Sequence, residues 1–95
     1  MAVVYVLYSA SLDKFYVGSC ADLAERTEQH LSQHFPGAFT GKATDWEIYF
    51  FRDNLTYIQA QSIEVHIKKM KSKNYIKNLK KYPRIMERLV ALYQD

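Results

Sequence analysis

The sequence predicts an α/β domain of the α+β type, a small three-stranded antiparallel sheet flanked by helices. Three observations lead there. Two short runs of β-branched and aromatic residues open the chain, separated by a small polar stretch, and a third run follows at residues 46–51. After Thr56 the apolar residues recur at spacings of three and four, the period of a helix. The chain has 95 residues, 48% of them hydrophobic, which suits one domain able to bury its own core.

Val3-Val4-Tyr5-Val6-Leu7-Tyr8 is apolar without interruption and reads as a strand buried on both faces. Residues 9–13 are small and polar, a turn of about five residues. Residues 14–18 read as the partner strand of a hairpin. Side chains at alternate positions of a strand share a face. Tyr5 therefore goes with Leu7 and Tyr16 with Gly18, and one register brings the two phenols to the same side. Gly18 allows a backbone or a ligand to come close at the strand end. Asp22 is an N-cap with Glu25 three positions on, so a helix is expected over 22–33, with Arg26 and His30 on one of its faces. Pro36 and Gly37 break the chain and a loop follows over 39–45. Thr56 caps a long helix with the stripe Ala60, Ile63, Ile67 and Met70, interrupted by Glu64. A carboxylate beside a buried face is costly without a partner. Ser72 caps a further helix containing Tyr75, Ile76 and Leu79. Pro83 suits the first turn of a last one, with Ile85, Leu89 and Leu92 inward.

The net charge is only +3, but its distribution is uneven. Residues 64–88 carry nine basic side chains against Glu64 and Glu87, a net +7, and the rest of the chain is −4. Such asymmetry points to a polyanion, nucleic acid first and an acidic membrane surface second, against the ordinary reading of a solvated lysine-rich face. No run reaches the roughly 20 apolar residues of a membrane-spanning helix. The apolar start lacks the basic flank and cleavage site of a signal peptide. The single Cys20 has no intramolecular disulfide partner, and a reducing cytoplasm is the expected location.

Zinc-type cysteine–histidine spacings, phosphate-cradling glycine loops and serine nucleophile elbows are absent from the sequence. What remains is Tyr5, Tyr16, Arg26, His30 and Glu64. Cleaving a phosphodiester needs an activated water, positive charge against the phosphate and help for the leaving oxygen. One magnesium ion meets several of these needs with few protein ligands, so a lone carboxylate is a sufficient anchor. Arg26 offers a guanidinium fork matched to phosphate oxygens. A tyrosine, with a reference pKa of about 10, acts as a base only beside a cation or a metal-bound hydroxide. Each residue also has an ordinary reading. The tyrosines suit an amphipathic core, and Arg26 and His30 suit an exposed helix face. Glu64 can pair with Lys68 four residues on, Cys20 can fill a small space, and His34 and His66 read as surface residues.

In their order along the chain these residues resemble the GIY-YIG nuclease family. The likeness is greatest to small members similar to the N-terminal nuclease domain of the excision-repair endonuclease. Val3-Val4-Tyr5 stands at the Gly-Ile-Tyr motif and Tyr16-Val17-Gly18 at Tyr-Ile-Gly. Arg26 falls on the family's arginine, His30 on the histidine one turn later, and Phe39-Thr40 on a loop Tyr-Thr pair. Glu64, followed by Ile67-Lys68-Lys69, falls on the metal-binding glutamate and its basic continuation. Two departures are Val3 for the motif's glycine and Phe39 for a tyrosine.

The resemblance implies one nuclease-like domain over 1–95, with its core at about 3–81 and a C-terminal helix at about 83–93. It implies a DNA endonuclease of repair or recombination that uses one divalent ion, Mg2+ or Mn2+. Tyr5, Tyr16, Arg26, His30 and Glu64 would be catalytic, Glu64 would hold the metal, and Gly18, Lys68, Lys69, Lys71 and Lys73 would meet the substrate. DNA is the expected partner, with no membrane. Targeting would fall to DNA structure, a protein partner or self-association as a homodimer. Two rivals stand beside this expectation: a DNA-binding module that does not cut, and an adaptor whose basic face meets an acidic protein.

Overall fold

The structure, a computed structural model, describes residues 1–21 and 45–94. The helix expected over 22–33, with Arg26 and His30, the break at Pro36-Gly37 and the loop up to residue 44 lie outside the described residues. Among those described, the chain forms β1 (Ala2–Ser9), β2 (Lys14–Cys20), β3 (Trp46–Leu55), α1 (Tyr57–Met70), α2 (Lys73–Lys81) and α3 (Pro83–Leu92). The sheet is antiparallel with order β2-β1-β3. The most uniformly apolar strand is thus the central one, and it is the strand that loses both faces to packing.

Register sorts the side chains onto two faces. Val4 stands opposite Ser19 and Val6 opposite Val17, and this face packs on the helices through Ala60, Ile63, Ile67, Leu79, Met86 and Leu89. Tyr5 stands opposite Gly18 and Leu7 opposite Tyr16, and on this second face Tyr5, Leu7, Cys20 and Trp46 cluster. The expected placement of both phenols on one side is therefore observed, and Cys20 is a buried filler.

Local sequence accounts for the element ends. The Thr56 hydroxyl accepts from the Gln59 backbone N–H at 3.0 Å while the Gln59 side chain accepts from the Thr56 N–H, a reciprocal cap. Ser72 caps α2 by accepting from the Tyr75 N–H, and Pro83 opens α3. Lys71 ends α1 in the left-handed conformation, φ 48°, ψ 40°. In the β1–β2 turn Asp13 also has positive φ, 50°. Its carboxylate accepts from the Tyr8 hydroxyl at 2.8 Å, and its carbonyl and carboxylate accept from Lys73 Nζ at 2.7 and 3.2 Å. These bonds, Tyr8 first and Lys73 next, hold the Asp13 carboxyl below its ordinary range. Asp45 ties the same turn to β3, accepting from the buried Ser9 hydroxyl at 2.6 Å and from the Ser11 N–H and hydroxyl at 2.8 and 3.0 Å. Those bonds, led by Ser9, lower its pKa too.

Three expectations need correction. β3 runs to Leu55 rather than stopping at residue 51. Register shifts against β1 mark irregularities that absorb extra residues of β3, and Asn54 adopts φ 59° there. Asp53-Asn54 therefore looks like a turn in sequence but continues the strand. On α3 the inward residues are Met86 and Leu89, whereas Leu92 is exposed and Ile85 only partly covered. Met70, the last member of the α1 stripe, is likewise exposed. Among the described residues no helix is long and apolar enough to cross a membrane.

Candidate active site

The hairpin register makes Tyr5 and Tyr16 diagonal neighbours across β1 and β2, with ring centroids 6.5 Å apart and planes at 32°. Gly18, directly opposite Tyr5, is what lets that ring lie flat on the strand. A Cβ at residue 18 would fall 2.5 Å from the Tyr5 hydroxyl oxygen, 2.6 Å from Tyr5 Cζ and 3.2 Å from Tyr16 Cε1. The two phenols are not equivalent. Tyr5 is 2% exposed, whereas Tyr16 is only partly buried on the outer strand.

Glu64 arrives from the other side of the sheet. It lies on α1 one turn after the buried Ala60 and reaches the β2 edge, where its side chain keeps 20% of its exposure. Both carboxylate oxygens are used. Oε1 accepts from the Ser19 hydroxyl at 2.6 Å and Oε2 from Lys68 Nζ at 2.7 Å. The partner that a carboxylate beside a core requires is thus a hydroxyl and a cation together. Glu64 preceding Lys68 by four residues is the favourable orientation of that pair. The same Lys68 ammonium lies 5.9 Å from the centroid of the Tyr16 ring. Lys68 therefore connects the carboxylate of one sheet face to the phenol of the other around the edge of β2.

Beyond Lys68 the edge opens into a cleft of about 420 Å3, lined on one side by Lys14, Phe15, Tyr16 and Val17 and on the other by Lys68, Lys71 and Lys73. Three of the four lysines expected to meet substrate therefore share one cleft. Lys69, one residue round the helix from Lys68, borders a separate depression with Ile58, Val65, His66 and Tyr93. Lys73 also holds Asp13. All nine basic residues between 64 and 88 have exposed side chains.

Two participants escape a reading by motif. Ser19 follows Gly18, so strand alternation turns it toward α1, and a polar residue on a packed face signals a partner there. Lys14 is the first residue of β2 and meets the later lysines only through the fold. His66, read as a surface residue, is instead clasped by the Tyr93 hydroxyl at Nδ1, 3.0 Å, and by the Tyr75 hydroxyl at Nε2, 3.1 Å. It locks α1 to α2 and α3. Burial and then the neighbouring Tyr93 raise the Tyr75 pKa. Arg26 and His30 lie outside the described residues, so the site as described comprises Tyr5, Tyr16, Gly18, Ser19, Glu64 and Lys68.

The donor set at Glu64 is one carboxylate with a hydroxyl beside it. Among the described residues no group of three or more His, Cys, Asp or Glu gathers. Hard oxygen donors in that small number fit a magnesium-type ion that keeps most of its waters; they do not fit a cage of nitrogen and sulfur ligands.

Searches of curated proteins and of solved structures returned no match. The model of the GIY-YIG catalytic domain, a nuclease domain, matches residues 1–81, which hold both tyrosine motifs, the positions of Arg26 and His30, and Glu64. With that match spanning most of its length and the hairpin register setting both motif tyrosines on one face, the chain belongs to the GIY-YIG family.

Proposed function

We propose that the chain is a divalent-metal-dependent DNA endonuclease that hydrolyses phosphodiester bonds at the β2 edge. The observation that carries this reading is the convergence of Glu64, Ser19, Lys68 and Tyr16 there, inside a matched nuclease domain. Glu64 would hold Mg2+ or Mn2+, with Ser19 fixing its carboxylate. When bound, such an ion supplies positive charge against the phosphate oxygens and acidity for the attacking water. Tyr16, the partly exposed phenol, is the better placed of the two tyrosines to exchange a proton with substrate or water. Tyr5, buried on Gly18, sets the position of Tyr16. By resemblance Arg26 holds the scissile phosphate and His30 assists proton transfer or phosphate orientation. Lys68, Lys71 and Lys73 steer the backbone, contacts that give affinity and salt dependence but little sequence preference.

The resemblance of the motif residues to those of the excision-repair nuclease domain is what supports a role in DNA repair or recombination. Targeting then comes from DNA structure, from a partner protein or from self-association.

The test offers supercoiled, nicked, branched and single-stranded DNA to the protein with Mg2+ or Mn2+, beside Glu64→Ala and Arg26→Ala. Wild type cuts, and each variant loses about 100-fold or more in rate, the scale of a lost charge-stabilising group. Wild type that cuts nothing, or variants that cut as well, would remove the assignment. Binding without cutting would leave the silent DNA-binding module, and no binding at low salt would leave the acidic-partner adaptor.

A further inference from the structure

The cleft beside the site joins two properties that one ligand class satisfies together. Its rim carries Lys14 from β2, Lys68 and Lys71 from the end of α1, and Lys73 from the start of α2, and among the described residues no acidic one lines it. Its walls include Phe15, Val17, Ile67 and Ile76, side chains that have no use for a phosphate. We propose that this cleft binds one unpaired nucleotide of a DNA strand, so that the protein prefers DNA with a single-stranded tail at the cleavage junction to uninterrupted duplex. The inference rests on the nuclease reading and names the substrate class of that site.

Size and chemistry narrow the occupant. A volume of about 420 Å3 lies in the range of pockets for single small molecules, roughly 300–1,000 Å3. A free phosphate would use the lysines and leave the apolar walls idle. An uninterrupted duplex offers the protein sugars and phosphates on its outside and keeps its base faces stacked within. An unpaired nucleotide presents a charged backbone and an open ring face at once, the combination that lysine-rimmed aromatic grooves take from single strands. The position matters as much as the lining. Tyr16 belongs both to the cleft and to the candidate active site, and Lys68 borders the cleft while holding Glu64. A nucleotide seated there lies next to the phosphate presented for cutting. Lys71 adds a backbone observation. It occupies the left-handed conformation at the end of α1, a position that glycine fills at lower cost. The lysine there places an extra cation on the rim, and strain of this kind collects at binding sites.

Fluorescence anisotropy in EDTA, where cutting is suppressed, compares one hairpin duplex with and without a short thymidine tail. The tailed DNA binds more tightly by about tenfold, the weight of a stacked base with its phosphate contacts. In the Lys14→Ala/Lys71→Ala double variant that preference falls toward parity. In wild type, 4-thiothymidine in the tail crosslinks under ultraviolet light to the peptide containing Phe15 and Tyr16, a readout that does not depend on any variant folding. Equal affinity for the two DNAs, a preference unchanged in the double variant, or crosslinks confined to other peptides would each overturn the proposal. Metal-dependent nicking that is lost in Glu64→Ala, with no tail preference, sinks the cleft and leaves the nuclease. Tail preference in a protein that cuts nothing sinks the nuclease and leaves the cleft.

Discussion

At the scale of single residues, the two glycine- and lysine-dependent contacts at the β2 edge make separate predictions. Gly18 is there because the Tyr5 ring takes the space a side chain would need. Gly18→Ala puts a methyl group within 2.5 Å of a buried phenol oxygen, so Tyr5 or the strand must move. The expected loss is about 1–3 kcal/mol of stability, the usual cost of overpacking, read as a lower urea midpoint. Adding Tyr5→Phe does not restore it, because Cζ, at 2.6 Å, stays in place. An unchanged midpoint for Gly18→Ala would show that the ring gives way freely. Lys68 is the other case. It occupies Glu64 Oε2 with a monovalent charge, so a divalent ion proposed for Glu64 would compete with it for that oxygen. The pair is half exposed on the lysine side, where such bridges contribute about 0–1 kcal/mol. Lys68→Met should therefore tighten Mn2+ binding by up to about fivefold, measured by the electron paramagnetic resonance of free Mn2+. Weaker or unchanged Mn2+ binding would mean that Lys68 does not compete with the metal.

At the scale of elements, the β1–β2 turn is held by carboxylates whose protonation is measurable. Asp45 joins that turn to β3 through Ser9 and Ser11, and those bonds favour its charged form. Its folded pKa lies below its unfolded one, so its stabilisation is complete above the unfolded pKa, about 3.9. It is lost as pH falls from there through the folded pKa. Asp45→Asn should lower stability at neutral pH and flatten the acid limb of the curve, traced by thermal melts from neutral pH into that window. An acid limb as steep as in wild type would assign it to other groups, Asp13 first among them. This tie also shows what sequence discloses about elements and what it hides. The strands, both side-chain caps and the proline start of α3 are local matters, decided by neighbours within four residues, and each is legible. Asp45 meeting Ser9 and Ser11, Ser19 meeting Glu64, and His66 between Tyr75 and Tyr93 join residues from different elements. No local pattern specifies them. The end of β3 was hidden for a second reason, since irregular register lets Asp53-Asn54 stay in a strand while looking like a turn.

At the scale of the whole molecule, the question is whether the positive charge of residues 64–88 acts as a bulk property or as a shaped one. The sequence shows nine cations in that segment but cannot say which of them share a surface. The fold divides them. Lys68, Lys71 and Lys73 converge with Lys14 on one cleft, Lys69 borders the depression near His66 and Tyr93, and Lys80 lies over the Tyr49 ring, its Nζ 4.5 Å from the centroid. A bulk field would make neighbouring lysines interchangeable, because two charges both within the screening length of about 10 Å at 0.1 M salt act alike on a bound polyanion. A shaped site would not, since only cations that touch phosphates release counterions. In that case the slope of log Kobs against log salt falls by about 0.9 for each phosphate contact removed. Lys69→Ala and Lys71→Ala remove the same charge from positions two residues apart, so they separate these alternatives. With a tailed DNA in EDTA, Lys71→Ala should reduce the magnitude of the slope by about 0.7, the single-strand value, and Lys69→Ala by clearly less. Equal reductions would show that the protein holds DNA through its overall field and that the cleft at the β2 edge has no privileged part in binding.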